Sequence, residues 1–142
     1  LKEELGFTVN GSRILLLGAG GGAGKAIATQ LAVDGCAELY LSNRTVAKVG
    51  QLSQDLADYT STTCHCIDNT SDSLETLADK IDLIINATSL GMKADDPAPF
   101  PLEALKQKHK VYRPTSPKIY YAESCVSHII LKTIDIAVLT RL

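Results

Sequence analysis

From Leu15 to Lys25 the chain reads Leu-Leu-Leu-Gly-Ala-Gly-Gly-Gly-Ala-Gly-Lys, with five glycines between Gly18 and Gly24. Each glycine costs conformational entropy on folding, so such a cluster needs a structural or ligand-binding reason. The flanks supply one. Arg13-Ile14-Leu15-Leu16-Leu17 is a continuous apolar run bounded by glycine, the pattern of a strand buried on both faces. After the glycines, Ile27, Ala28, Leu31 and Ala32 recur at helical spacing, and Gly35 ends the run. A glycine loop between a buried strand and a helix is the setting in which a G-x-G-x-x-G motif holds a pyrophosphate. Gly18 permits the tight turn, Gly20 lets the backbone approach the anion, and the small Ala23 or Gly24 lets the helix pack on the strand. Exposed amides at the helix start, with the positive end of the helix dipole, favour the anion. The competing reading, a flexible turn without a ligand, leaves the entropy of five glycines unexplained.

The rest of the chain extends this unit. Leu1 to Phe7 reads as a helix end, followed by a turn at Asn10-Gly11. A second strand is expected at Glu38–Ser42, then a helix capped by Thr45 with inner residues Val49, Leu52, Leu56 and Ala57. Thr62 to Ile67 reads as a third strand, Ser73 to Lys80 as a short helix, and Ile81 to Asn86 as a fourth strand. Alternating strands and helices imply right-handed crossovers and a parallel sheet of order 3-2-1-4. The expected class is therefore α/β: a Rossmann-type, doubly wound parallel sheet in three layers, forming a single domain. All ten glycines fall within residues 1 to 91. Beyond them, a short helix at Leu102 to Lys108 and a strand stub at Lys110-Val111-Tyr112 close a cofactor domain spanning 1–112. Residues 113–142 read as a divergent tail without a regular continuation.

The end of the second strand selects the cofactor. In domains specific for NAD, an acid about 20 residues beyond the loop bonds the ribose 2′-hydroxyl. Here that position carries Asn43-Arg44-Thr45, with Lys48 one helical turn later and no carboxylate. A guanidinium and an ammonium beside a helix start suit a 2′-phosphate, so NADP is expected. The competing reading is a solvated basic patch.

Bulk properties bound the remaining classes. A chain of 142 residues with 45% hydrophobic and 21% charged residues holds one globular core. A net charge of −2 gives no reason to expect nucleic acid or an acidic membrane surface as a partner. No apolar run reaches the roughly 18 residues of a spanning helix, and Leu1 to Leu5 is no signal peptide. Four cysteines (Cys36, Cys64, Cys66, Cys125) in such a chain are expected as reduced thiols of a cytoplasmic protein. The absence of an initial methionine suggests a start inside a longer reading frame, or trimming.

Three stretches resemble the shikimate dehydrogenase family in its C-terminal cofactor domain. They are Gly18 to Ala28, Asn43-Arg44-Thr45-Val46-Ala47-Lys48, and Asn86-Ala87-Thr88-Ser89-Leu90-Gly91-Met92, the last being the most specific. The similarity runs over about residues 1 to 112. It implies NADP-dependent, reversible reduction of 3-dehydroshikimate to shikimate, a step toward aromatic amino acids. Carried over to this chain, Gly18 to Ala23 hold pyrophosphate, and Asn43, Arg44, Thr45 and Lys48 hold the adenosine 2′-phosphate. Thr88, Ser89 and Leu90 line the ribose and nicotinamide side. From the residues alone, that last turn is equally an ordinary strand end and a ligand loop at the carboxyl edge of the sheet.

Three departures accompany the resemblance. The substrate domain that carries the family's catalytic lysine and aspartate has no counterpart here, so no catalytic residue is expected within the chain. The loop carries one glycine more than most relatives, which unsettles the register of Gly22 and Ala23. After Tyr112, Arg113-Pro114-Thr115-Ser116-Pro117 replaces the family's Asp and its following Tyr-Asn-Pro.

Other candidates carry less. Cys64-His65-Cys66 suggests metal, but alternation along a strand turns His65 away from the two thiols, and no second ligand pair sits at zinc spacing. Buried thiols and no metal are expected. His109 and His128 read as structural, and Asp95-Asp96 as a solvated loop. Val126 to Leu139 is apolar without a clean period and suits core, interface or tail, so a homo-oligomer stays open. Three functions follow: the cofactor half of a shikimate dehydrogenase, with a small-molecule substrate (shikimate or 3-dehydroshikimate); a non-catalytic NADP-binding module; or the cofactor domain of another Rossmann oxidoreductase. Quinate dehydrogenase and glutamyl-tRNA reductase-like enzymes exemplify the third. The latter also show Asn-Arg-Thr after the second strand, but Asn86 to Met92 argues against them.

Overall fold

Arg13–Leu17 forms the central strand β1, and Ile14 to Leu17 are completely buried because both faces of the strand are covered. In chain order follow α1 (Gly22–Val33), β2 (Glu38–Ser42), α2 (Ala47–Tyr59), β3 (Thr63–Ile67), α3 (Ser71–Ala78) and β4 (Leu83–Asn86). A 3-10 turn at Leu102–Ala104, β5 (Lys110–Tyr112) and β6 (Ile119–Tyr121) complete them. The computed structural model describes residues 7–90, 96–105, 110–112 and 119–121. Leu1 to Gly6, Gly91 to Asp95, His109, Cys125, His128 and the stretch Val126 to Leu139 lie outside them.

The strands order as β3-β2-β1-β4-β5-β6. The first five pair in parallel, as the alternation of elements requires, and the expected 3-2-1-4 core is present. β6 departs from the all-parallel expectation: it runs antiparallel to β5, pairing Lys110 with Tyr121 and Tyr112 with Ile119. The antiparallel partner comes from the stretch in which no regular element was expected.

Two cores sandwich the sheet. One joins Ile14, Leu16, Leu39, Leu41, Leu83 and Ile85 to Ile27, Ala28 and Leu31 of α1 and to Val49 and Leu56 of α2. The other joins Leu15, Leu17, Tyr40, Ile84 and Val111 to Leu74 and Ala78 of α3 and to Phe100. This is the expected three-layer, doubly wound α/β fold.

Several boundaries differ from the sequence reading. Thr45 does not cap α2: the helix begins at Ala47 after Val46, with no side-chain cap, and Thr45 offers its carbonyl to the Lys48 amide instead. Of the expected inner face of α2, Val49 and Leu56 are buried and Leu52 partly so, whereas Ala57 is exposed. α3 starts two residues early, because the Thr70 hydroxyl accepts from the Ser73 amide and so caps it. Asp82 precedes β4 rather than lying in it; its amide bonds the Arg13 carbonyl and its carboxylate grips the Arg13 guanidinium at 3.2 Å. Within the described residues, the helix expected from Leu102 is a single 3-10 turn, closed by the Ala104 amide on the Pro101 carbonyl. Cys64 and Cys66 pack under α2 and His65 faces the opposite side, stacked on Tyr40 at 4.7 Å. Both thiols are half-buried rather than buried.

Candidate functional site

The carboxyl ends of β1, β2, β3 and β4 converge on one groove of about 390 Å³. Gly18 turns the chain out of β1 with φ +80°, a conformation that disfavours any side chain, and a Cβ there would come within 2.8 Å of the Thr88 methyl. The amides of Gly18 and Ala19 both donate to the Ser42 carbonyl, at 2.9 and 3.1 Å. The start of the loop is thereby pinned to the end of β2.

Gly20 and Gly24 are required by the protein itself. A Cβ on Gly20 would lie 2.8 Å from the Asn43 carboxamide, and one on Gly24 would overlap the Gly18 carbonyl. The position that lets α1 pack against β1 is therefore Gly24 rather than Ala23. Gly21 and Gly22 have no such internal reason: a Cβ on Gly21 would make only ordinary contact at 3.7 Å, and one on Gly22 would meet nothing. Gly21 is the N-cap of α1 without a side-chain cap, and no acid sits in the first turn. The positive end of the helix dipole thus opens toward the groove with no protein carboxylate to neutralise it.

Asn43 ties the two loops. Its Oδ1 accepts from the Gly20 amide at 3.3 Å, and its Nδ2 donates to the Thr45 carbonyl at 2.9 Å. Beside it Arg44, Thr45 and Lys48 stand exposed on the groove wall, and among the described residues neither cation is ion-paired. Among the described residues the Arg13–Asp82 ion pair and the His65–Glu38 contact involve residues outside the groove lining.

The wall after β4 is built by Asn86, which is 2% exposed. Its Oδ1 accepts from the Thr88 amide at 3.0 Å and the Thr88 hydroxyl at 2.6 Å, while its Nδ2 reaches the Leu90 carbonyl at 3.2 Å. The Thr88 hydroxyl in turn accepts from the Leu90 amide at 3.1 Å. This network gives Thr88, Ser89 and Leu90 their places on the groove.

Of the residues expected from sequence, Gly18, Gly20, Gly21, Asn43, Arg44 and Thr45 line the groove, as do Lys48, Thr88, Ser89 and Leu90. Ala19, Gly22 and Ala23 do not. Ala19 is completely buried in the core, and Gly22 and Ala23 sit at the exposed start of α1. Asn69 and Ala87 line the groove and were missed, as were the two organising residues Ser42 and Asn86. Asn86 stood in the most specific stretch of the sequence, and a buried asparagine closing a strand is a signal for a turn-organising side chain. Nothing in the local pattern marks Asn69.

A model of the shikimate/quinate 5-dehydrogenase family matches residues 1–93. A shikimate dehydrogenase (NADP(+)) of Desulforamulus reducens is 35% identical over 113 residues, covering 78% of this chain and 38% of the relative. One of Methanopyrus kandleri is 33% identical, covering 78% and 37%. The chain thus spans less than two fifths of the length of these curated relatives. Among solved structures, shikimate dehydrogenase of Aquifex aeolicus superposes with a TM-score of 0.60 at 29% identity, over 89% of this chain and 42% of that one. Quinate dehydrogenase of Corynebacterium glutamicum, in complex with NAD, shares the fold with a TM-score of 0.65 at 21% identity, over 89% and 45%. With its glycine loop, basic wall and Asn86 turn, the chain belongs to the shikimate/quinate 5-dehydrogenase family of oxidoreductases.

Proposed function

We propose that this chain is the NADP-binding part of a shikimate dehydrogenase, an enzyme that interconverts 3-dehydroshikimate and NADPH with shikimate and NADP. The observation that carries the reading is the junction in one groove of a helix start at Gly21 without a side-chain cap and two cations, Arg44 and Lys48, that have no ion-pair partner among the described residues. Among the described residues no carboxylate lines the groove, which suits a 2′-phosphate. Gly21 and Gly22, which nothing in the protein requires to be glycine, fit a pyrophosphate brought against the backbone. Relatives named as NADP(+) enzymes support the choice of nucleotide.

In this reading the start of α1, with the amides of Gly22 and Ala23, holds the pyrophosphate beside a loop braced by the Gly20–Asn43 bond, and Arg44, Thr45 and Lys48 hold the 2′-phosphate. Asn43 braces both loops, and Thr88, Ser89 and Leu90 bound the ribose and nicotinamide side. The bound cofactor supplies the hydride; this chain's residues orient it. The described groove-lining residues include no carboxylic acid, imidazole or thiol to transfer a proton. The 142-residue chain therefore binds cofactor without turning over shikimate, and residues 1–112 carry that binding.

Fluorescence titration of the purified chain tests this. NADPH binds at least about ten-fold more tightly than NADH, the difference that one charge-assisted contact supplies. Equal affinities overturn the assignment of the 2′-phosphate site. Reduction of NADP by shikimate at a rate that follows this polypeptide through gel filtration overturns the absence of turnover.

A further inference from the structure

Ser42 is completely buried at the end of β2 and works in two directions. Its carbonyl holds the amides of Gly18 and Ala19, and its hydroxyl is directed to Oδ1 of Asn69 at 3.2 Å and to the Asp68 carbonyl at 3.4 Å. Asn69 follows β3 and is the only residue from that strand's end on the groove wall among the described residues. With Oδ1 engaged by Ser42, the Asn69 carboxamide keeps its Nδ2 as a donor with no described protein partner.

The strand order fixes what that donor faces. Along the carboxyl edge run Asn69 at β3, Arg44 and Lys48 at β2, the glycine loop at β1 and Thr88 to Leu90 at β4. A dinucleotide with its pyrophosphate on the loop and its 2′-phosphate on Arg44 and Lys48 brings its purine toward the β3 side. There Asn69 also borders a second cavity of about 240 Å³, lined as well by Ser71, Leu74, Leu90, Pro99, Phe100 and Glu103. A neutral donor beside Leu74, Pro99 and Phe100, with the carboxylate of Glu103 on the same cavity, suits an uncharged heteroaromatic ring with acceptor nitrogens and does not suit another phosphate.

We infer that Asn69, oriented by the buried Ser42 hydroxyl, is a purine-recognition residue that donates from Nδ2 to a ring nitrogen of the adenine. Ser42 is a positioning residue that couples this contact to the glycine loop. The inference rests on the cofactor reading above and adds a residue and a chemical target to it.

The test measures binding of NADPH, adenosine 2′,5′-bisphosphate and adenosine 5′-monophosphate to the full chain, to Asn69→Ala, to Ser42→Ala and to the double variant. Losing one neutral hydrogen bond weakens all three probes about fivefold in Asn69→Ala, by the same factor whether or not the 2′-phosphate is present. Ser42→Ala weakens them less, and the double variant is no worse than Asn69→Ala, as expected when one residue acts through the other. A loss confined to the bisphosphate and NADPH would place Asn69 on the phosphate and overturn the inference. Unchanged affinities in a folded Asn69→Ala would overturn it while leaving the cofactor reading intact. A wild-type chain that binds no NADPH overturns both.

Discussion

The backbone amide of Gly20 donates to Oδ1 of Asn43 at 3.3 Å, across 23 residues of sequence. One carboxamide thereby joins the glycine loop after β1 to the wall that carries Arg44, Thr45 and Lys48. The closeness that permits this bond also excludes a side chain at Gly20, since a Cβ there would collide with the Asn43 carboxamide. The two halves of the groove are thus held in one geometry before any ligand arrives.

The glycines separate into positions that the packing requires and positions with room for a side chain, and alanine substitutions test whether the latter face the proposed cofactor. Gly24→Ala drives a methyl into the Gly18 carbonyl and is expected to lower stability by about 2 kcal/mol or more. Gly21→Ala meets only ordinary contacts, so its cost is that of exchanging a good N-cap residue for a poor one, about 1 kcal/mol. Its NADPH affinity falls at least tenfold all the same. Urea denaturation and fluorescence titration on the same samples check both, and a Gly21→Ala protein with wild-type affinity places the pyrophosphate elsewhere.

Charge removal discriminates between cofactors. Arg44→Ala and Lys48→Ala each weaken NADPH by about 1.5 kcal/mol or more, roughly tenfold, and leave NADH within twofold. The wild-type preference for NADPH shrinks as salt is raised, because both cations are exposed. Titrations at low and high salt show this directly; equal losses for the two cofactors would mean the cations act on a phosphate common to both.

Asn86→Ala removes the centre of the turn that follows β4. Three hydrogen bonds end on this nearly buried carboxamide, and leaving their partners unsatisfied costs about 1–3 kcal/mol. The urea midpoint falls accordingly, and NADPH binds more weakly because Thr88, Ser89 and Leu90 lose their fixed positions. An unchanged midpoint would show that the backbone keeps this turn without Asn86.

Acid stability depends on the underside of the sheet. The Tyr40 hydroxyl, bonded to Glu38 at 2.7 Å, holds that carboxyl below its ordinary 4.5, and His65 at 3.1 Å adds to the effect. A depressed carboxylate contributes stability above the unfolded value, and the contribution is lost as pH falls through the folded one. Glu38→Gln is expected to lower the midpoint modestly at neutral pH, since Glu38 is partly exposed, and to flatten its decline as pH falls from 4.5 through the lowered folded value. Tyr40 responds in the opposite sense: burial first, and then Glu38, push its hydroxyl up to about 12. Its contribution is complete below 10 and disappears as pH rises through about 12. Denaturation midpoints across pH for wild type and Glu38→Gln check the acid limb, where parallel curves would exclude Glu38.

Much of this protein was determined locally. The apolar run Arg13–Leu17, the glycines after it and the 3.6-residue spacing of Ile27, Ala28 and Leu31 specify strand, loop and helix from neighbouring residues alone, because period and turn chemistry are short-range properties. Arg44 and Lys48 were legible for the same reason: their distance from the loop is counted along the chain. Tertiary structure decided what depends on approach between distant segments. The packing position at Gly24 rather than Ala23 follows from how closely α1 lies on β1, and Asn69 reaches the groove because β3 pairs with β2 at the end where Ser42 is buried. The antiparallel β6 required the free edge of β5, a partner that no local pattern announces. Side chains acting across more than 20 residues of chain, as Asn43 does on Gly20, acquire their roles only when the sheet brings the strand ends together.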